Sequence, residues 1–540
     1  MSFRLKNKTS LIHIFIFLLL VILSFLKYFS FHTSMYDLGI IEHYIYTCSY
    51  FKDYSGLLSG GHHFRLVLFI YSLIYKICPS SIILLISQAF ALVLGGIFLE
   101  KIIKTNPELK IVSPAFIIIL YYLYFALWWI ALFDFHVDCW LIPIMFAIFY
   151  GLQNHKSIIL ITGLILSLCF IKEPFILTAA AFGIYLMVKY RRLFLGGILF
   201  VFCLFLFYLV TFKVIPKFGE TSYLSSWAFS YLGKTPLKMC IYILSHPWAI
   251  LKLIFTNPLK IIYLIALFAP FFFLCILSPL ELIPALPIIA ISLLSQKVGH
   301  YVYSNHHHAA IIAPVFVAFI YALPKIYNFC SKFKLSKQTL NTFLLAIALF
   351  FHIIFSCSPL SKVFWVKKLG YSWPFYKNAY IVTTRDIKIW QALKTYIPSD
   401  PKLKISYQNF LNCSYLSQRK KIFLYPSGIS QADYIVLDLK RPYFIKAYEP
   451  AISLIKLFGG KGTEIVKKAL ARESQLINAH WSIFNNVSKT WIKIYSYDGF
   501  FIFKNPHFLN HHANTLRCFL KFHNGSSGFP NKYSIAKYIS

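Results

Sequence analysis

The chain has 540 residues, 58% of them hydrophobic, 19% aromatic and only 13% charged, with a mean hydropathy of +0.65. Soluble proteins carry about a quarter charged residues, so this composition excludes an ordinary soluble protein. The net charge of +35 is spread along the chain as dispersed Lys and Arg with no RNA- or DNA-binding motif, which points away from nucleic acid and toward an anionic membrane or a lipid phosphate.

A helix needs roughly 20 apolar residues to cross the hydrocarbon core. On that basis the first span falls near 9–30. A long apolar stretch, no small-residue cleavage site, and Arg4, Lys6 and Lys8 ahead of it make it an anchor instead of a cleavable signal peptide. Further spans are expected near 80–100, 112–132, 139–153, 157–171, 174–188, 193–214, 258–278, 280–296, 308–327 and 338–357, about eleven in all. Segment 65–77 is apolar but short, with Arg65 and Lys76 at its ends, and is expected to lie along the interface. With a cytoplasmic N-terminus, the inside loops are Lys101–Lys110, Asn154–Lys156, Lys189–Arg192 and Lys325–Lys337, and three of these four are rich in Lys and Arg.

From about residue 360 polar and apolar residues mix, and no run is long enough to span. Thr384–Tyr396 reads as an amphipathic helix. Lys404–Tyr407, Lys421–Tyr425 and Tyr434–Leu437 read as strands, with Asn409–Ser417 helical, and Trp491–Tyr495 and Phe500–Phe503 as a hairpin across Ser496–Gly499. The expected organisation is an α-helical polytopic domain over 1–360 with a first outer loop at 31–79. A small α/β extracytoplasmic domain follows over 361–507, and then a loose tail over 508–540.

The conspicuous ionisable residues between spans gather on one expected face. Asp37 opens a helix-like stretch; it either caps that helix or acts as a base or metal ligand at the membrane boundary. Asp134, His136 and Asp138 form a turn that suits a divalent cation or is simply a solvated loop. In Lys172-Glu173-Pro174 the two charges neutralise each other, or the lysine meets a phosphate. His300 and His306–His308 cannot all ligate one ion from a single helix face, but one of them could act with Asp37 or the 134–138 turn. No Walker A, GxGxxG, GxSxG or HExxH pattern occurs, and the eleven Cys show no CxxC spacing. These features argue against a nucleotide-driven pump, a dinucleotide enzyme, a membrane zinc protease and a disulfide scaffold.

An ordered series runs through Met35–Ile40, His63-Phe64, Asp134-Phe135-His136, Lys172-Glu173, Pro284–Pro287, Leu293-Leu294-Ser295 and His308–Pro314. It continues through Ser406–Asn409, Leu416–Arg419 and Ala432-Asp433-Tyr434. The series resembles the bacterial membrane protein family known as domain of unknown function two-zero-seven-nine, over roughly residues 30–440, with departures at Arg65-Leu66, Val137-Asp138, Pro174 and His308. That family is distantly similar to the GT-C glycosyltransferases, which take sugars from polyprenyl-phosphate carriers at the outer face of the inner membrane. The resemblance implies a catalytic Asp37, a substrate-binding set of His63, Arg65, Lys172, Glu173, His306 and His308, and a metal at Asp134, His136 and Asp138 if one assists. The partners implied are the bilayer and a polyprenyl-phosphate sugar donor. Two rivals stand beside this expectation: a lipid or solute transporter or flippase, and a non-catalytic envelope assembly protein.

Overall fold

The computed structural model describes residues 2–219, 228–366, 374–441 and 482–506. The expected tail over 508–540 lies outside the described residues, as do the side chains of Arg4, Lys6 and Lys8.

Among the described residues, five helices are long and apolar enough to cross a membrane: Thr9–Phe29, Ser81–Thr105, Leu193–Phe218, Ala309–Lys332 and Lys337–Phe355. Two bent pairs raise the number to seven if each is a single span, Pro114–Leu123 with Phe125–Leu132 at 53° and Leu237–Ser245 with Pro247–Phe255 at 90°. Length and composition therefore support five to seven spans where about eleven were expected. The segments expected near 139–153, 157–171, 174–188, 258–278 and 280–296 form apolar helices of 10–17 residues. At 1.5 Å per residue these reach about 15–26 Å, short of the ~30 Å hydrocarbon thickness. The pair at Leu237–Phe255 was not among the expected spans. Segment 65–77 contains only the eight-residue helix Leu68–Tyr75.

The break at Tyr124, which has extended dihedrals, sets the site's geometry because it aims Phe125–Leu132 at the 134–138 turn. A broken helix in an apolar setting must have its freed carbonyls paired. Trp128 Nε1 donates to the Tyr122 carbonyl at 2.8 Å, and His352 Nδ1 lies 2.6 Å from the Leu123 carbonyl. Elsewhere Gly183 and Gly196 bring two helices into backbone contact. A Cβ at either would stand 2.7 or 2.5 Å from the other's carbonyl oxygen, the close approach that small residues permit between apolar helices.

Polar groups in the first helix and its neighbour Ser81–Thr105 gather at the two ends. At one end His13 and Thr9 meet Glu100 at 3.1 and 2.7 Å, and His13 also meets Tyr122 at 2.6 Å. At the other Lys27 meets Asp134. Fourteen residues of helix separate His13 from Lys27, about 21 Å of rise.

The C-terminal unit is a five-stranded sheet ordered β2-β1-β3-β5-β4, with β1 at Lys404–Tyr407, β2 at Lys421–Leu424, β3 at Tyr434–Asp438, β4 at Ile492–Tyr497 and β5 at Phe500–Lys504. β1 pairs parallel with β2 and β3, and β5 pairs antiparallel with β3 and β4. β3 is central and buried at all five positions, which is why it reads as a continuous apolar run. Asp498 and Gly499 both have positive φ (49° and 83°) and close the β4–β5 hairpin, the turn conformation that Asp-Gly favours. Helix Thr384–Tyr396 begins with a capping box between Thr383 and Asp386.

This unit is tied to the first helix and the loop after it. Arg441 Nη1 donates to the Ser30 and Phe31 carbonyls at 2.9 Å each, while its Nε donates to Asp438 at 2.9 Å and its Nη2 to Asp386. Tyr36 N donates to Asn409 Oδ1 at 3.0 Å, and Ser414 N to Tyr28 Oη at 2.9 Å.

Candidate functional site

Ser34, not Asp37, caps the helical turn that follows the first helix. Its hydroxyl oxygen accepts the Asp37 N–H at 3.1 Å and its O–H donates to Asp37 Oδ2 at 2.8 Å. Met35–Gly39 form a wide π-type turn before helix Ile40–Phe51. The Asp37 carboxylate is thus held by its own turn, with a side chain 21% exposed. Its other oxygen faces His136 Nε2 at 3.5 Å. Burial first, and then the negative charge of Asp134, push the Asp37 carboxyl up to about 7, against the opposing pull of Ser34, Lys27 and Arg65.

The 134–138 turn meets this loop through Asp134. One of its oxygens accepts the Ser34 N–H at 2.7 Å and the other lies 3.0 Å from Lys27 Nζ. Both are therefore committed to holding the two loops together. Asp134 adopts φ 70°, and Gln88 clamps the strained turn. Gln88 Nε2 donates to the Ala131 and Asp134 carbonyls at 3.0 and 2.5 Å, and its Oε1 accepts the His136 N–H at 2.9 Å.

Beyond His136 the cluster continues into the histidine-rich stretch. His136 and His306 stack with ring centroids 3.4 Å apart and planes 11° from parallel. His306 Nε2 and Lys172 Nζ each stand 3.9 Å from Asp138 Oδ2. Burial and the nearby Lys172 charge hold His136 well below the ordinary imidazole range, and burial above all does the same for His306. The neighbouring Lys172 and Glu173 turn to different partners, Lys172 toward Asp138 and Glu173 toward His63, while the Lys172 charge still acts on Glu173. Glu173, fully buried, accepts from His63 Nδ1 at 2.7 Å and from Phe64 N at 3.1 Å, and Arg65 donates to the Gly60 carbonyl at 3.0 Å.

The structure thus brings Asp37, Asp134, His136, Asp138, Lys172 and His306 into one connected cluster, with Glu173 and His63 paired beside it. His308 faces the core instead: Nε2 lies 2.9 Å from the Tyr303 carbonyl, and its ring packs against Phe125 and Tyr263. Asp134, His136 and Asp138 are not brought to one point; among the described residues the group whose ligand atoms converge is Asp138, His306 and His307.

Several residues at the site carried no sequence signal. Gln88 is one polar residue in a 25-residue apolar helix, and Lys27 reads as a span end. Glu42, fully buried, accepts from Ser81 Oγ at 2.6 Å and Tyr75 Oη at 2.5 Å, and Gln418 donates to Tyr75 Oη at 2.8 Å. The apolar face of Ile40, Ile41, Tyr44, Ile45 and Cys48 leaves Glu42 off it, so its burial was not foreseeable from the helix pattern.

The sequence matches the family described as Predicted membrane protein (DUF2079) over residues 27–483. The chain belongs to that family. The match covers the first loop, the 134–138 turn, the histidine stretch and most of the C-terminal sheet, so the whole cluster is inside the DUF2079 region. No curated protein matches the chain, and no solved structure does. The DUF2079 description names a membrane protein and no activity.

Proposed function

We propose that this DUF2079 protein is a membrane glycosyltransferase of GT-C type that moves a sugar from a polyprenyl-phosphate donor to an envelope acceptor at the outer face of a bacterial inner membrane. In this reading the short apolar helices complete a bundle of about eleven spans, and the C-terminal sheet is extracytoplasmic. The observation that carries the reading is Asp37: a partly exposed carboxyl, anchored by Ser34, raised to about 7, and close to cationic side chains. A general base works best with a pKa near the working pH.

Asp37 takes the proton of the acceptor hydroxyl as that oxygen attacks the anomeric carbon. The bond from that carbon to the phosphate oxygen breaks, and its electron pair leaves on the phosphate. Arg65 and Lys172 meet the developing negative charge, and His63, Glu173 and His306 line the donor's approach. A single displacement inverts the sugar carbon. Keeping the ionisable groups at helix ends suits chemistry at the surface more than passage through the bilayer.

The test replaces Asp37 by Asn and measures sugar incorporation into envelope glycans at matched protein level. Incorporation is expected to fall at least a hundredfold, the usual scale of losing a positioned base. Undiminished incorporation by a stable Asp37→Asn protein refutes the assignment.

A further inference from the structure

The geometry points to a divalent transition-metal site at Asp138, His306 and His307, with zinc the best chemical match. One ligand atom from each of the three lies within 4.8 Å of the other two. Zinc holds imidazole nitrogen and carboxylate oxygen at ~2.0–2.2 Å, which sets tetrahedral ligand atoms about 3.3–3.6 Å apart. Closing onto the ion therefore takes a contraction of roughly an ångström, which side-chain torsions supply.

A second observation points the same way. Asp138 Oδ2, which stands 3.9 Å from His306 Nε2, is buried and lacks a hydrogen-bond partner among the described residues. Asp138 is 2% and His306 7% exposed. Buried polar atoms without partners are rare and costly, and Lys172 at 3.9 Å is too far to donate to Asp138. A cation satisfies a carboxylate and imidazole lone pairs together.

Local structure explains how adjacent histidines both reach one point. They precede helix Ala309–Lys332 in irregular chain, where successive side chains are not fanned by helical geometry. Asn305 Oδ1 accepts the His307 N–H at 3.0 Å, and the Asn305 amide donates to the Gly299 carbonyl. The stacked His136 ring fixes the plane of His306. Two imidazoles and one carboxylate leave a fourth position for an oxygen ligand, the pattern of an open zinc site.

The inference stands apart from sugar transfer, because binding is measured without donor or acceptor. Full-length protein in detergent, purified without a polyhistidine tag, is titrated with Co²⁺ and followed by its visible d–d absorption. One stoichiometric equivalent, displaced by Zn²⁺, is expected in the wild type, with its loss in Asp138→Asn and in His307→Gln. X-ray absorption at the zinc edge needs no variant: the loaded wild type should show two imidazoles around the ion. Absence of a stoichiometric site, a shell without imidazole, or variants that bind like the wild type overturns the assignment.

Discussion

Breaking the Lys27–Asp134 pair is the sharpest test of how the candidate site is held. The two charges are 3.0 Å apart with side chains only 4% and 6% exposed, and Asp134 also accepts the Ser34 N–H beside Asp37. Lys27→Met leaves a buried carboxylate with one backbone donor. Asp134→Asn leaves a buried ammonium with the Leu132 carbonyl and the face of Phe375. Stranding one member of a buried pair costs about 3–5 kcal/mol, while replacing both by neutral groups of similar shape costs little. Unfolding entropy of ~2.1 cal/mol/K per residue over this length converts that penalty to a midpoint lowered by about 3–4 °C in each single variant. The double variant Lys27→Met/Asp134→Asn should recover most of the loss. Buried cysteines such as Cys139, Cys357 and Cys413 make thermal unfolding in detergent readable with a thiol-reactive fluorophore. A double variant as unstable as the sum of the singles would show that the two charges are not coupled and would refute this account of the loop junction.

Four further outcomes are expected. With the Asp37 carboxyl raised from 3.8 to about 7, transfer should climb as pH rises through about 7, and Asp134→Asn should move that midpoint downward by removing a neighbouring negative charge. A raised carboxyl favours the protonated form in the folded state, so its stabilising contribution is full below about pH 4 and lost as pH rises to 7; Asp37→Asn should therefore gain stability relative to wild type between pH 4 and 8, and a flat difference in thermal midpoints would contradict this. Gln88→Leu removes three hydrogen bonds to the 131–136 backbone, at about 1–3 kcal/mol for each group left unpaired, and should expose Cys139 to thiol reagents; unchanged protection would show the clamp is dispensable. Gly39→Ala would set a Cβ 2.3 Å from Asn412 Oδ1, an overpacking cost of roughly 1–3 kcal/mol, and should open the 374–441 segment to limited proteolysis, with partial rescue by Asn412→Ala; equal resistance in the Gly39→Ala protein would refute the close contact.

The C-terminal unit was readable in the chain because local signals agreed there. The Thr384–Tyr396 helix, its capping residue, the alternating strands and the Asp-Gly turn each have short-range causes. The joining of Asp37 with the 134–138 turn and His306 was also legible as ionisable residues interrupting apolar chain. What holds them was not. Lys27 and Asp134 are 107 positions apart, and neither residue names the other. Span number was less legible, because hydropathy sums apolar residues without seeing where a helix stops. The segment expected to span 258–278 ends its helix at Phe268, and Phe272 and Phe273 then take positive φ, which no apolar average registers.

Arg441 carries a consequence for anyone wishing to divide this chain. Its guanidinium is shared between carboxylates of the C-terminal sheet and its helix and the carbonyls that end the first helix. A fragment stopping near residue 360 would leave those carbonyls, the Tyr36 amide and the buried Glu42 network without their donors and acceptors. The amino-terminal bundle and the carboxy-terminal lobe are therefore co-dependent, and expressing them apart should yield two damaged pieces where co-expression restores one.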